Sequence, residues 1–209
     1  MKRIALCVGC VLAMVPTIAS AALSVAFDGT PVTVRQGQIP AEEHFVDLVF
    51  NETGTPTNEG LFAYDLYITR DKPNGINLAR AEKPDNWVFT SPGASFQEAG
   101  PEFSNKPGLI VVNAIGDLLG ANQDIQNGTK AARVFYTIDP AAAPGTYTIR
   151  LDPSGTLFVS GDTGEAIPVD ISDTGGPLVT VLPAPEPASV SLLGFAGAAV
   201  LLRRRRRAA

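Results

Sequence analysis

Between residues 22 and 182 apolar and polar side chains alternate with a period of two over much of the chain. In 44–51, His44, Val46, Leu48 and Phe50 fall on one face and Phe45, Asp47, Val49 and Asn51 on the other; in 61–70, Phe62, Tyr64, Leu66 and Ile68 share a face. Successive side chains of a strand point to opposite sides, so this alternation predicts strands with one buried face. Further strands are expected at 23–27, 31–35, 87–90, 109–114, 132–138, 146–151, 156–159, 167–171 and 178–181. Between them stand turn formers such as Asp28-Gly29, Pro73-Asn74-Gly75, Pro144-Gly145 and Asp152-Pro153-Ser154-Gly155, which supply the fixed or positive φ that turns require. Short strands at this spacing, without helical periodicity or an internal repeat, predict an all-β chain: one antiparallel β-sandwich or jelly roll over 22–182.

The two ends break the pattern. Lys2 and Arg3 precede an apolar run from Ile4 to Ile18, followed by Ala19-Ser20-Ala21. A charged start, a short apolar run and small residues at Ala19 and Ala21 are the order of a secretory signal peptide, so 1–21 is expected to be removed by signal peptidase after Ala21. Cys7 and Cys10 have C-x-x-C spacing but lie inside this segment. A redox or zinc role for them would require the segment to stay, a lipid anchor at Cys10 is opposed by Cys7 in the place of the usual aliphatic residue and by the short apolar run upstream, and the processed body holds no disulfide.

At the other end, 183–209 begins with a proline-rich stalk. It continues through 15 uncharged residues, 188–202, and ends with Arg203, Arg204, Arg205, Arg206 and Arg207 before two alanines. A 15-residue helix spans about 22 Å at ~1.5 Å per residue, short of the ~30 Å hydrocarbon layer. Snorkelling arginine stems and local bilayer thinning make up the difference, and the cationic cluster places this end in the cytoplasm. A single transmembrane helix at 188–202 is therefore expected, with the body outside. Pro185-Glu186-Pro187, an apolar segment and a terminal arginine cluster together resemble the PEP-CTERM sorting signal of exopolysaccharide-producing Gram-negative bacteria. The resemblance covers about the last 26 residues. It implies recognition at Pro185, Glu186 and Pro187 by an exosortase, a brief stay in the inner membrane, and release to the cell surface or extracellular matrix. A plain tail anchor with a proline stalk is the alternative.

Charge changes the picture of the body. The whole chain carries −5, but 22–182 holds 9 Lys/Arg against 20 Asp/Glu, a net of −11. Such a body repels nucleic acid and anionic lipid, so no nucleic-acid partner is expected. Laid in order, Val32-Thr33-Val34-Arg35-Gln36-Gly37, Phe45-Val46-Asp47-Leu48-Val49, Gly60-Leu61-Phe62-Ala63-Tyr64-Asp65-Leu66 and Pro144-Gly145-Thr146-Tyr147-Thr148-Ile149 resemble the strands of cohesin-like β-sandwich modules. That resemblance implies a module which binds a dockerin-type protein or carbohydrate.

Candidate chemistry in the body is sparse, and no catalytic residues are assigned. His44 is the one histidine, and no G-x-S-x-G, H-E-x-x-H or phosphate-loop motif accompanies it. Glu98 and Glu102 form one of several carboxylate pairs that a polysaccharide hydrolase could use. Calcium is the one ion considered, with oxygen ligands in two loop groups: Asp117, Asn122, Asp124 and Asn127, and Asp162, Glu165, Asp170 and Asp173. Neither group has the EF-hand spacing, and turn formation accounts for such residues equally well. Trp87 with Tyr67 is a candidate aromatic platform for a sugar, against ordinary core packing. The expectation that joins these readings is an exported, exosortase-processed, non-enzymatic surface or matrix protein. Its role is structural, adhesive or binding, its partner an extracellular polysaccharide or a surface protein. The alternatives are a secreted polysaccharide hydrolase and a stand-alone carbohydrate-binding module.

Overall fold

The computed structural model describes residues 22–53, 60–99, 108–117, 125–172 and 178–184. The expected signal peptide at 1–21 lies outside the described residues, as do Pro185, Glu186, Pro187, the expected helix at 188–202 and the arginine cluster. Among the described residues every regular element is a strand, and no helix is long and apolar enough to cross a membrane.

Thirteen strands follow in order: β1 Ala22–Asp28, β2 Val32–Arg35, β3 Glu43–Thr53, β4 Leu61–Arg70, β5 Ile76–Glu82, β6 Ser95–Ala99, β7 Ile110–Ile115, β8 Lys130–Ile138, β9 Gly145–Tyr147, β10 Ile149–Leu151, β11 Leu157–Ser160, β12 Val169–Asp170 and β13 Val179–Leu182. One sheet has the order β12-β1-β3-β8-β5; a second has β10-β4-β7-β6, with β11 also on β4; a small third sheet runs β2-β13-β9. Most pairs are antiparallel, but β1 runs parallel to β12 and β2 parallel to β13, which modifies the purely antiparallel expectation.

The core lies between the two large sheets, where the predicted faces meet. Val46, Leu48 and Phe50 of β3 pack against Tyr64, Leu66 and Ile68 of β4, with Ile110 and Val112 of β7 and Val134 and Tyr136 of β8 in the same cluster. Phe50 meets Tyr64 edge-on at 6.2 Å and Phe158 at 5.8 Å, the geometry favoured by aromatic quadrupoles. With no cysteine in the described residues, burial of this apolar surface is the main stabilising term.

Two expectations about elements are corrected. Residues 87–90 do not form a strand: Trp87 makes one isolated bridge to Lys130, and 83–90 is a loop that tucks Trp87, Val88 and Phe89 into the core. The expected strand at 146–151 is two strands, because Thr148 breaks the ladder, donating its amide to the Asp71 side chain at 3.0 Å.

Candidate functional site

The outward face of the β4-centred sheet is built from residues that alternate with the core set. Along β4 these are Ala63, Asp65, Tyr67 and Thr69, all half-buried. Strand pairing sets their neighbours: Val159 and Ile115 flank Ala63, and Leu157 and Asn113 flank Asp65. Three large apolar side chains stand exposed among the described residues, Phe45, Ile115 and Leu157, and the last two, each 44% exposed, lie on this one face. In the Leu157 row, next to that of Ile115, Asn113 donates its amide to the Asp65 carboxylate at 2.5 Å. The face thus presents two exposed apolar side chains beside a fixed polar pair. Such a surface suits a protein partner rather than a reacting small molecule.

Tyr67 belongs to this face but is covered at one end. Asp152 donates its amide to the Tyr67 carbonyl at 2.8 Å, Thr156 Oγ1 accepts the Tyr67 amide at 3.2 Å, and Gly155 lies so close that a Cβ there would stand 2.4 Å from the ring. The turn between β10 and β11 thus lies over the ring. Trp87 is on the opposite side of the sheet, 5% exposed, its indole donating to the Tyr64 hydroxyl at 2.7 Å. The proposed sugar platform of Trp87 and Tyr67 is therefore not assembled: one ring is core, the other faces outward.

The remaining sequence candidates are scattered. Glu98 accepts the Ala81 amide at 2.8 Å, a link from β6 to the facing edge strand β5, while Glu102 lies outside the described residues. In the first calcium group Asn122 and Asp124 also lie outside them. Asn127 clasps the end of β3, accepting the Glu52 amide and donating to the Glu52 carbonyl at 3.1 Å. Asp117 sits against Gly93, where a Cβ would stand 2.7 Å from its carboxyl carbon. In the second group Asp162 and Glu165 are exposed on a turn held by the buried Ser160 hydroxyl, which accepts the Asp162 and Thr163 amides at 3.2 and 3.3 Å. Asp170 accepts the Ser172 amide at 2.9 Å, and bonding from the Ser172 side chain and backbone holds its carboxyl below the ordinary value. Asp173 lies outside the described residues. Among the described residues no three His, Cys, Asp or Glu side chains converge on one point.

His44 opens β3 with its side chain 16% exposed and Nε2 3.7 Å from a Glu42 carboxylate oxygen. Its ring centroid lies 5.6 Å from that of Tyr136. The charged groups the sequence did not single out are on the outer side of the other sheet. Asp47, 6% exposed, receives Lys130 at 2.6 Å and Arg133 at 2.7 and 3.0 Å. Next to it Arg133 covers Phe45 and Arg80 covers Phe135 at 4.5 and 3.9 Å. Only the alternation that puts Asp47 on the polar face of β3 hinted at this cluster; its partners come from β8, far along the chain.

No protein-family model matches the chain, and comparison with curated proteins finds no match. Solved structures do match. The seventh ScaB type I cohesin from Pseudobacteroides cellulosolvens is 19% identical with a TM-score of 0.52, covering 79% of this chain and 95% of that one. A cohesin from Clostridium acetobutylicum is 18% identical, TM-score 0.52, covering 76% of this chain and 90% of its own. The OlpA type I cohesin–dockerin complex from Clostridium thermocellum gives 15% identity, TM-score 0.54, and coverage of 77% and 99%. At such identities the likeness is one of architecture: the described body of this chain has the fold of the cohesin modules.

Proposed function

We propose that the chain is an exported, non-enzymatic binding module whose partner is a protein, held on the outward face of the β4–β7 sheet. The observation that carries the reading is the placement of Ile115 and Leu157, exposed on one face beside the Asp65–Asn113 bond. Exposed apolar side chains beside a fixed polar pair give an interface both area and register. The fold supports the same reading, since the Clostridium thermocellum neighbour is a cohesin held in a complex with a dockerin. The sorting reading of the tail supplies delivery: signal peptidase at Ala21, exosortase at Pro185-Glu186-Pro187, then the surface or matrix.

The test is a pull-down from the native host's surface fraction with the intact chain and with Ile115→Asp and Leu157→Asp. Loss of a specific protein partner in both variants, with unchanged melting temperature, supports the reading. A partner retained by both, or capture of polysaccharide in place of protein, sinks it.

A further inference from the structure

The geometry points to a second binding site, on the open edge of β3, for an extended peptide that carries a lysine. β1 pairs with β3 from Ala22 opposite Thr53 to Asp28 opposite Asp47, and there it stops. On its other side β3 stays paired with β8 as far as Glu43 opposite Thr137. Residues 43–46 therefore have a strand neighbour on one side only among the described residues. The departure of β1 is enforced. Gly29 crosses over Val46 so closely that a Cβ there would lie 2.8 Å from Val46 Cγ2. Pro31, which would come opposite His44 if β1 ran on, has no amide hydrogen to give a ladder.

Where β1 would have continued there is an open pocket of about 740 Å³, lined by Asp28, Thr30, Pro31, His44, Phe45 and Tyr136 among others. Two of its groups want a partner. Tyr136 is 0% exposed and its hydroxyl has no hydrogen bond, and neither has the buried His44 Nε2. Buried polar atoms are nearly always bonded, and an exception calls for an explanation. Here register provides it. His44 and Tyr136 are direct cross-strand partners on the inward face, so the residue of an added strand that came opposite His44 would point along the same row.

The chemistry of the pocket selects that residue. Burial pushes the Tyr136 phenol up to about 12, so it stays neutral and can accept as well as donate. Carboxylates of Asp28, Glu43 and Asp47 also line the space, with Glu42 beside His44. Two of these are already paired, Glu43 with Arg80 and Asp47 with Lys130 and Arg133, which leaves Asp28 and Glu42 to face a ligand. The balance is acceptors and negative charge. An ammonium on an apolar stem, with three donors around a point, fits this lining, with Pro31 and Val32 beside the stem, whereas an anion does not. Main-chain bonds along the free edge would supply the rest of the affinity, as in other cases of strand addition.

The test titrates the intact chain in detergent micelles with acetyl-Thr-Val-Lys-Val-Thr-amide and with the same peptide carrying norleucine for lysine. Hydrogen exchange locates the binding and calorimetry measures it. The lysine peptide is expected to slow exchange within 43–46; the norleucine peptide, and the lysine peptide on Tyr136→Phe, should each bind about tenfold more weakly, as expected for loss of a bond to a charged donor. Tyr136→Phe removes an unpartnered hydroxyl, so its melting temperature should equal or exceed that of the parent chain. The proposal is overturned if 43–46 gains no protection, if norleucine or Tyr136→Phe leaves affinity unchanged, or if Tyr136→Phe melts markedly earlier. Protection confined to the β4–β7 face overturns it too, while leaving the first interface intact.

Discussion

Trp87 donates its indole N–H to the Tyr64 hydroxyl at 2.7 Å, and that hydroxyl in turn donates a hydrogen bond to the Ala131 carbonyl at 2.5 Å. Tyr64 stands on β4 and Ala131 on β8, so the Tyr64 hydroxyl links one sheet directly to the other, and Trp87 of the 83–90 loop adds a third member to the chain. Burial raises the Tyr64 phenol well above its ordinary value, outweighing the opposing effect of the Trp87 bond. The hydroxyl therefore remains a donor across the working pH range. Tyr64→Phe would leave the Trp87 N–H and the Ala131 carbonyl both buried without a partner. At about 1–3 kcal/mol for each orphaned group, the variant should lose about 2–6 kcal/mol, read by urea denaturation followed through the single tryptophan. A loss below ~1 kcal/mol would mean that the bridge is incidental to the packing.

Asp47 gives the fold an acid-side limit. Burial alone would raise its carboxyl, but the hydrogen bonds and charges of Arg133 and Lys130 prevail and hold it below the ordinary value. A depressed native value means that the unfolded chain takes up the proton first, so the stabilisation is complete above about pH 4 and is lost as pH falls below it. Asp47→Asn should cost about 1–3 kcal/mol at pH 7, less than a fully buried pair because Lys130 and Arg133 reach water. The difference between the two proteins should then shrink from pH 4 downward. Parallel urea melts at pH 7, 5 and 3 check this, and an equal gap at pH 3 would show that the carboxylate charge is not the cause.

What could be read from the chain follows from burial on one face. β4 was expected at 61–70 and occupies Leu61–Arg70, because Tyr64, Leu66 and Ile68 alternate with polar or small residues. β3 followed from the same pattern. β5 and β6 were missed: Ile76 and Leu78 start an alternation, but a register shift between Leu78 and Arg80 breaks it, and the strand ends in alanine, arginine and glutamate. Such residues have little preference for strands, and pairing with β8 overrides it. Trp87 misled in the opposite way, since Trp87-Val88-Phe89 is apolar without alternation and is buried as a loop. The open edge at His44 was invisible because it depends on where β1 leaves the sheet. At that departure Gly29 passes close over Val46, a long-range approach that no local motif announces.

Gly75 reports on one tight approach of this kind. It is buried in the turn between β4 and β5, and a Cβ there would stand 1.9 Å from Cδ1 of Tyr147, whose hydroxyl donates to the Ala143 carbonyl at 2.6 Å. Gly75→Ala should therefore cost about 1–3 kcal/mol through overpacking. The cost should fall in a Tyr147→Ala background, where the ring no longer occupies the space. Four proteins in a thermal denaturation cycle suffice, and additive effects would remove the steric explanation.

The tail makes the last prediction, and its two parts should fail differently. Under the sorting proposal, an apolar stretch of 15 residues would be marginal as a span and would depend on Arg203–Arg207 for orientation and retention. Pro185-Glu186-Pro187 would add nothing to insertion, since a carboxylate is unfavourable beside a membrane. Under the sorting proposal the triplet is read by the processing enzyme while the arginines act as a stop. Glu186→Ala should then insert normally and accumulate uncut at full length in the membrane fraction. Replacing the five arginines with serine should instead loosen retention, so that unprocessed chain passes through. A fractionated blot of both variants in the native host separates the two fates. Equal processing of Glu186→Ala and the parent chain, or one shared fate for both variants, would reduce the region to a simple anchor and leave delivery of the β-sandwich without its proposed route.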